Sequence, residues 1–393
     1  MRAWVCASLL GALAACGTSG ISTGGGEQSP APTQTAQPSG PGAASSSPST
    51  PRPKALAPTS IAVTVTRTDS AHIVRAVDGH GELLATAFAT GDSELWASAD
   101  DGESWSRRAE LADGDFRCLS VLPDGTLLAW VSRPTGNFLD RSDDDGASWS
   151  DVLFLGAYRM LQPHNVVQLG GTVFFGEYQV FAKIAPVHLW ASGDDGRTWS
   201  VRHVFLNRRH VHGLVADAPS GTLWALLGDS TGGLLRSTDG GDTFDQVVGS
   251  PDGVGVDALV TPAGLLFGRD AVFAPAVPGI ELVPQSGSPD VIAPLPGPSY
   301  SLLRAGGGYL MGVTREEDGT VYASGDVSAH LFGSPDGSSW QPLLDFPRLS
   351  TTGYARANVY WTLPDGEAVL DLSNVQGLQP TGAGFELLQA TTR

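Results

Sequence analysis

Beyond residue 58 the chain alternates short apolar runs with clusters of turn-forming residues. One unit recurs: an apolar stretch, a tight turn and a second apolar stretch, centred on a glycine. The copies are VRAVDGHGELLATA around Gly81, LSVLPDGTLLAW around Gly125, VVQLGGTVFF around Gly171 and LVADAPSGTLWAL around Gly221. LVTPAGLLFG around Gly264, LLRAGGGYLMG around Gly308 and VYWTLPDGEAVL around Gly366 continue the series. Each reads as strand, turn, strand, with Asp-Gly or Gly-Gly at several of the turns. The seven anchors are spaced by 47.5 residues on average. Repeats of roughly 40–50 residues read as blades of a propeller or coils of a solenoid. An early strand, Ile61 to Thr66, has no hairpin of its own and is expected to complete the last unit and close the ring, which removes exposed sheet edges.

A second motif shares this period: Ser-x-Asp-x-Gly-x-Ser/Thr-Trp/Phe. It appears as SADDGESW (Asp100, Gly102, Trp105), SDDDGASW (Asp144, Gly146, Trp149), SGDDGRTW (Asp194, Gly196, Trp199) and STDGGDTF (Asp239, Gly241, Phe244). A shortened copy, SPDGSSW, carries Asp336 and Trp340. The chemistry is structural. Asp and Ser side chains hydrogen-bond a tight turn, Gly supplies positive φ, and the ring packs between strands. The copies resemble the Asp-box, or BNR, repeat of sialidases, sortilin-type receptors and photosystem assembly factors. That resemblance implies a β-propeller in which the box joins the third and fourth strands of a blade, away from the ligand site. Seven hairpins and five boxes together predict an all-β, seven-bladed β-propeller, with six or eight blades as alternatives. The fifth and seventh blades lack a box. The acidic pairs Asp100/Asp101 and Asp194/Asp195 also have calcium-ligand chemistry.

Composition fits this architecture. Gly (50) and Pro (27) are abundant and charged residues make up only 16% of 393 residues. The net charge of −18 argues against a nucleic-acid partner, because phosphate contacts need Lys and Arg. Arg2 and the apolar run Ala3 to Ala15 read as a signal peptide, too short for a membrane-spanning helix. Its end, Leu13-Ala14-Ala15-Cys16, resembles the bacterial lipobox. That resemblance implies cleavage before Cys16, diacylglycerol on its sulfur and a second acyl chain, the combination that anchors firmly. An ordinary secretory signal is the alternative. Residues 16–57 are small and polar, a disordered tether with an r.m.s. span of about 35 Å. The expected organisation is therefore signal peptide 1–15, lipidated Cys16 and tether 16–57, and propeller 58–393. Localisation is expected to be extracytoplasmic, at the cell membrane or outer membrane. With Cys6 and Cys16 assigned to the signal region, Cys118 has no intramolecular partner, so disulfides do not hold the fold.

Candidate site residues come from aligning the seven hairpins. Just before each, at the start of the expected innermost strand, stand His72, Cys118, His164, His212, Asp257, Ser301 and Asn358. They form either a polar ring lining a watery channel or a ligand site. His72, His164 and His212, with Asp257 and Cys118, are the candidates for a channel metal, and no other cofactor is expected. His210 and His212 share one strand face. A one-residue slip would turn all of these side chains away. Arg75, Arg117, Arg159, Arg209, Arg304 and Arg356 gather near the same strand starts. A sialidase-like glycoside hydrolase would use such arginines for a carboxylate, with Tyr354 or Tyr360, Glu177 and Arg356 as candidate machinery. The Arg-Ile-Pro motif of the first sialidase blade is absent. The leading expectation is thus a non-catalytic binding or assembly module for a protein or glycan. A glycoside hydrolase and a channel metal site are the alternatives.

Overall fold

The computed structural model describes residues 58–180, 185–271, 276–286, 288–314, 327–350 and 353–393. The expected signal peptide, Cys16 and the tether lie outside these residues. The described strands form seven four-stranded antiparallel sheets, arranged as the blades of a seven-bladed β-propeller. The innermost strands, blade by blade, are His72–Val77, Asp115–Val121, Val166–Leu169, Val211–Asp217, Gly255–Thr261, Ser299–Ala305 and Arg356–Thr362. The early strand, Ile61–Asp69, pairs antiparallel with Gly384–Thr392 and supplies the outer edge of blade 7. The first and last described segments thus share one sheet, and Thr59 N donates to Arg393 O at 2.7 Å.

Burial explains the apolar pattern. The second strand of each blade is covered on both faces by neighbouring blades, so it reads as a continuous apolar run rather than an alternating one. In blade 1 every residue of Leu83–Ala87 is buried. The outermost strands are largely exposed, as in Ser106–Glu110. Seven apolar clusters form the core, each between adjacent blades. Ala76, Leu84 and Leu95 meet Phe116 and Leu127 between blades 1 and 2. Leu83 and Val74 meet Phe385 and Val369 across the closing interface.

The five acidic motifs all join third to fourth strands. In the first, Ser98 Oγ accepts the Gly102 N–H at 2.8 Å and donates to Asp100 Oδ1 at 2.8 Å. Asp100 accepts from the Ser104 N–H (2.8 Å) and hydroxyl (2.6 Å). Both carboxylate oxygens of Asp100 therefore accept donors of their own turn, and Asp194 is held in the same way. Asp101 and Gly102 sit at φ 57° and 83°, the left-handed region that makes Gly the natural residue at the second position. In the shortened copy, Ser334 Oγ caps Gly337, three residues on instead of four. Trp149, Trp199 and Trp340 each donate to the carbonyl of their own turn's glycine.

The antiparallel order sets the two ends of the ring. First-to-second hairpins and the acidic turns share one end. Second-to-third loops and blade-to-blade connections share the other.

Candidate functional site

Side chains on the innermost strands, and on the turn that precedes the one of blade 3, tie the blades together from the first to the seventh. Arg75 Nη1 donates to Arg117 O at 3.0 Å, and Ser120 Oγ donates to Pro163 O. Asn165 Nδ2 donates to Val211 O at 3.1 Å, and His212 Nδ1 to Gly255 O at 2.9 Å. Asp257 Oδ2 accepts the Leu302 N–H at 3.0 Å, and Ser301 Oγ accepts the Val359 N–H at 2.8 Å. These bonds run in order from blade 1 to blade 7. The innermost strand is a sheet edge, so every other residue turns an unpaired N–H and C=O away from its own sheet, open to such bonds. Arg75, Arg117 and His212 each sit at a register shift.

This corrects the picture of a watery polar ring. The hub is crossed by blade 3, whose first strand is preceded by a 3-10 turn, Pro163–Asn165. From that turn Gln162 Nε2 reaches His212 O (3.2 Å) and Val256 O (2.7 Å), and His164 Nδ1 pairs with Asp257 Oδ1 at 2.8 Å. On the hairpin side of this plug lies a cavity of about 300 Å³, lined in part by His164, Tyr360, Asp78 and Ser120. Burial alone would lower the His164 pKa, but the adjacent Asp257 carboxylate overrides it and the net shift is upward.

The other aligned residues divide. His72 is not at the hub. Its Nδ1 lies 3.0 Å from Asp69 Oδ2 and its ring stacks on Trp105 at 4.1 Å, at the junction of blades 7 and 1. His72, His164 and His212 each have separate partners and do not form one metal group. The hairpin alignment slips at blade 1, where His72 is the first residue of its strand and the bulge lies further on, at Arg75. Cys118 is buried and its thiol is pushed up to about 12 by burial. Asn358 is buried opposite Asp371 in the strand register, and its Oδ1 has no partner among the described residues. Asp371 is raised to about 6 by burial, partly offset by Arg75 and Arg356.

Of the proposed hydrolase residues, Arg356 and Tyr360 lie near Arg75 and Asp371, whereas Glu177 and Arg304 stand apart. Glu177 is buried and accepts from the His188 N–H and Nδ1 and from Trp190 Nε1, each at 2.8 Å, so it braces two strands of blade 3. Arg356 lies over the Tyr354 ring at 5.3 Å. Arg75 and Arg117 share Asp92, and Arg209 pairs with Asp229. Arg304 stands over Tyr309 at the hairpin end, away from the others. Tyr360 is pushed well above the ordinary tyrosine range by burial, so its hydroxyl stays protonated.

One cluster joins the aligned His212 to residues outside the aligned set, at the end opposite the acidic turns. His210 Nε2 and His212 Nε2 are 3.0 Å apart, with Asp229 Oδ2 3.8 Å from His210 Nε2. Their ligand-type atoms fall within 4.8 Å of one another, the one such trio among the described residues. Tyr178 stacks on His210 at 4.2 Å, and Arg159 sits 5.4 Å from the Tyr178 ring centre. Asp270 Oδ2 lies 3.8 Å from His212 Nδ1, and burial, reinforced by Asp229, raises Asp270 to about 7. Burial and the neighbouring His212 hold His210 down at about 3, so its ring is neutral. Asp229 and Asp270 escape the hairpin alignment because they follow the hairpins rather than precede them. A usable signal is present: an acidic residue just past the glycine that ends a second strand, in Gly228-Asp229 and Gly268-Arg269-Asp270.

No family model matches the chain, and no curated protein matches it. Solved structures do. Virginiamycin B lyase from Staphylococcus aureus aligns with a TM-score of 0.54 at 12% identity, covering 84% of this chain and 99% of that one. YCF48 from Cyanidioschyzon merolae aligns at 0.51 and 12%, covering 83% and 98%. The GH74 enzyme of Niastella koreensis aligns at 0.51 and 12%, covering 82% and 62%. The likeness is one of fold. Enzymes stand among these neighbours, and the fold by itself assigns no activity.

Proposed function

We propose that this chain is an extracytoplasmic propeller, tethered through a lipidated Cys16, that serves as a binding or assembly module. Its partner is a protein surface that docks at the end of the ring opposite the acidic turns. What supports this reading is the distribution of exposed apolar side chains. Phe88, Val180, Val277 and Val327 stand exposed on second-to-third loops; Leu161, Leu206, Leu349 and Tyr354 stand exposed on blade-to-blade connections. All these loops belong to one end. The remaining exposed large apolar residues, such as Phe154 and Val201, lie on outermost strands. Apolar groups concentrated on loops that the core does not need mark an interaction surface. Arg159, Arg209 and Arg356, each beside a tyrosine or a carboxylate, add the residue types enriched at protein interfaces.

The test is site-specific photo-cross-linking in the native host. A cross-linker at Leu206, Val277 or Leu349 is expected to trap one discrete protein adduct, and a cross-linker at Asp101 or Asp195 none. Equal trapping from both ends, or a glycan adduct, would overturn the proposed partner. Turnover of aryl glycosides, including sialosides, by the purified protein would overturn the non-catalytic reading. Mass spectrometry of the mature N-terminus checks the anchor: diacylglyceryl-modified Cys16 is expected, and an unmodified terminus would contradict it.

A further inference from the structure

The geometry points to a binding site for a divalent first-row transition-metal ion formed by His210, His212 and Asp229 at the mouth of blade 4. It does not depend on the docking partner proposed above.

Hydrogen bonding settles which ring nitrogens carry protons. His210 Nδ1 lies 2.6 Å from Gln179 O, and His212 Nδ1 lies 2.9 Å from Gly255 O. A backbone carbonyl only accepts, so both Nδ1 atoms are protonated. In neutral imidazoles both Nε2 atoms then carry lone pairs. They face each other at 3.0 Å, a repulsive contact unless a cation lies against both. Two nitrogens bound at about 2.1 Å and at right angles to one metal lie about 3.0 Å apart, and a tetrahedral angle gives about 3.4 Å. The observed separation is thus that of two ligands of one ion. Carbonyl acceptors on the far nitrogens are the usual outer partners that orient metal-binding histidines.

The surrounding backbone keeps this space open. A Cβ on Gly228 would lie 2.3 Å from both His210 Nε2 and His212 Nε2, so only glycine fits beside the pair. The next residue, Asp229, is held at φ 60°, a strained conformation for a non-glycine residue that turns its carboxylate toward the imidazoles. Asp270 Oδ1, buried nearby with no hydrogen-bond partner among the described residues, adds acceptor character. The histidines are nearly fully buried while the Asp229 side chain is 27% exposed, so an open coordination position would face solvent there. Two imidazoles and one carboxylate form a donor set suited to zinc, iron(II) and cobalt(II). Arg209 competes for the same carboxylate through its ion pair with Asp229.

The experiment uses protein purified without a histidine tag, stripped with chelator and titrated with cobalt(II), followed by zinc displacement. One equivalent with visible ligand-field bands is expected. His210→Ala, His212→Ala and Asp229→Asn should each weaken binding by about tenfold or more. Arg209→Ala should tighten it by removing a positive charge, and His164→Ala should leave it unchanged. Should the histidine variants fail to fold, the wild-type protein still decides. Zinc must shift the Nε2 resonances of these two rings in nitrogen-15 spectra. Absence of cobalt uptake by folded wild-type protein, unchanged affinity in both histidine variants, or a shared proton signal between the rings that persists with zinc would overturn the assignment.

Discussion

Asp257 offers a sharp test of the hub. Its side chain is almost wholly buried and accepts from three donors: the Ala258 and Leu302 N–H groups and the His164 imidazole. Asp257→Ala strands a buried Leu302 N–H, worth about 1–3 kcal/mol, and removes the carboxylate partner of His164. The imidazole keeps 36% of its side chain open, so solvent screens the pair and its share is set at the low end for a charged hydrogen bond, about 1.5 kcal/mol. The expected total is about 2.5–4.5 kcal/mol, read from urea unfolding by fluorescence and far-UV circular dichroism, with coincident transitions required before free energies are drawn. The pair also has a pH signature. The His164 pKa is raised in the folded state, so its contribution is full below the unfolded value near 6.5 and fades as pH rises through the folded value. A double-mutant cycle with His164→Ala should give a coupling of about 1.5 kcal/mol near about pH 5.5 that weakens as pH rises through the folded value. A coupling of zero, or one independent of pH, would refute the account of the plug.

Three further outcomes follow from the same structure. Ser142→Ala leaves the buried Gly146 N–H without its 2.9 Å acceptor and should cost about 1–3 kcal/mol in thermal or urea unfolding. The acidic turns predict an acid transition. Donors from Ser104 and Thr198 hold Asp100 and Asp194 at about 2, and Ser148 likewise lowers Asp144, against an unfolded value of 3.8. Their stabilisation is present above 3.8 and lost as pH falls toward 2, so a melting temperature that stays flat across that window would contradict it. Cys118, buried and pushed up to about 12, should resist thiol reagents in the native protein and react only at the rate of unfolding.

Much of the architecture is legible in the sequence because each blade writes its own signals locally. A hairpin announces itself through a Gly turn between apolar runs, and the acidic turn through Ser98, Asp100 and Gly102, whose bonds all close within a few residues. The hub is less legible because its contacts join distant residues. Gln162 acts on Val256, and His164 on Asp257, across two blades. The 3-10 turn that delivers them breaks the strand period on which a hairpin alignment relies. His72 is misplaced because it stands at the start of its strand, before the bulge at Arg75, and the hydrophobic pattern does not encode where the bulge falls. His212 emerges from the alignment without its decisive neighbour, since Asp229 approaches from the following loop.

Every statement about the hub requires that the first described strand and the last lie side by side in one molecule. Thr64 and Gln389 are register partners across that seam. Mass spectrometry of a Thr64→Cys/Gln389→Cys variant after mild oxidation is the direct measurement. An intramolecular disulfide between the two introduced thiols is expected, with added stability of up to about 5 kcal/mol from so long a closed loop. Failure to cross-link in folded protein, or cross-linking only between molecules, would show that the ring does not close there.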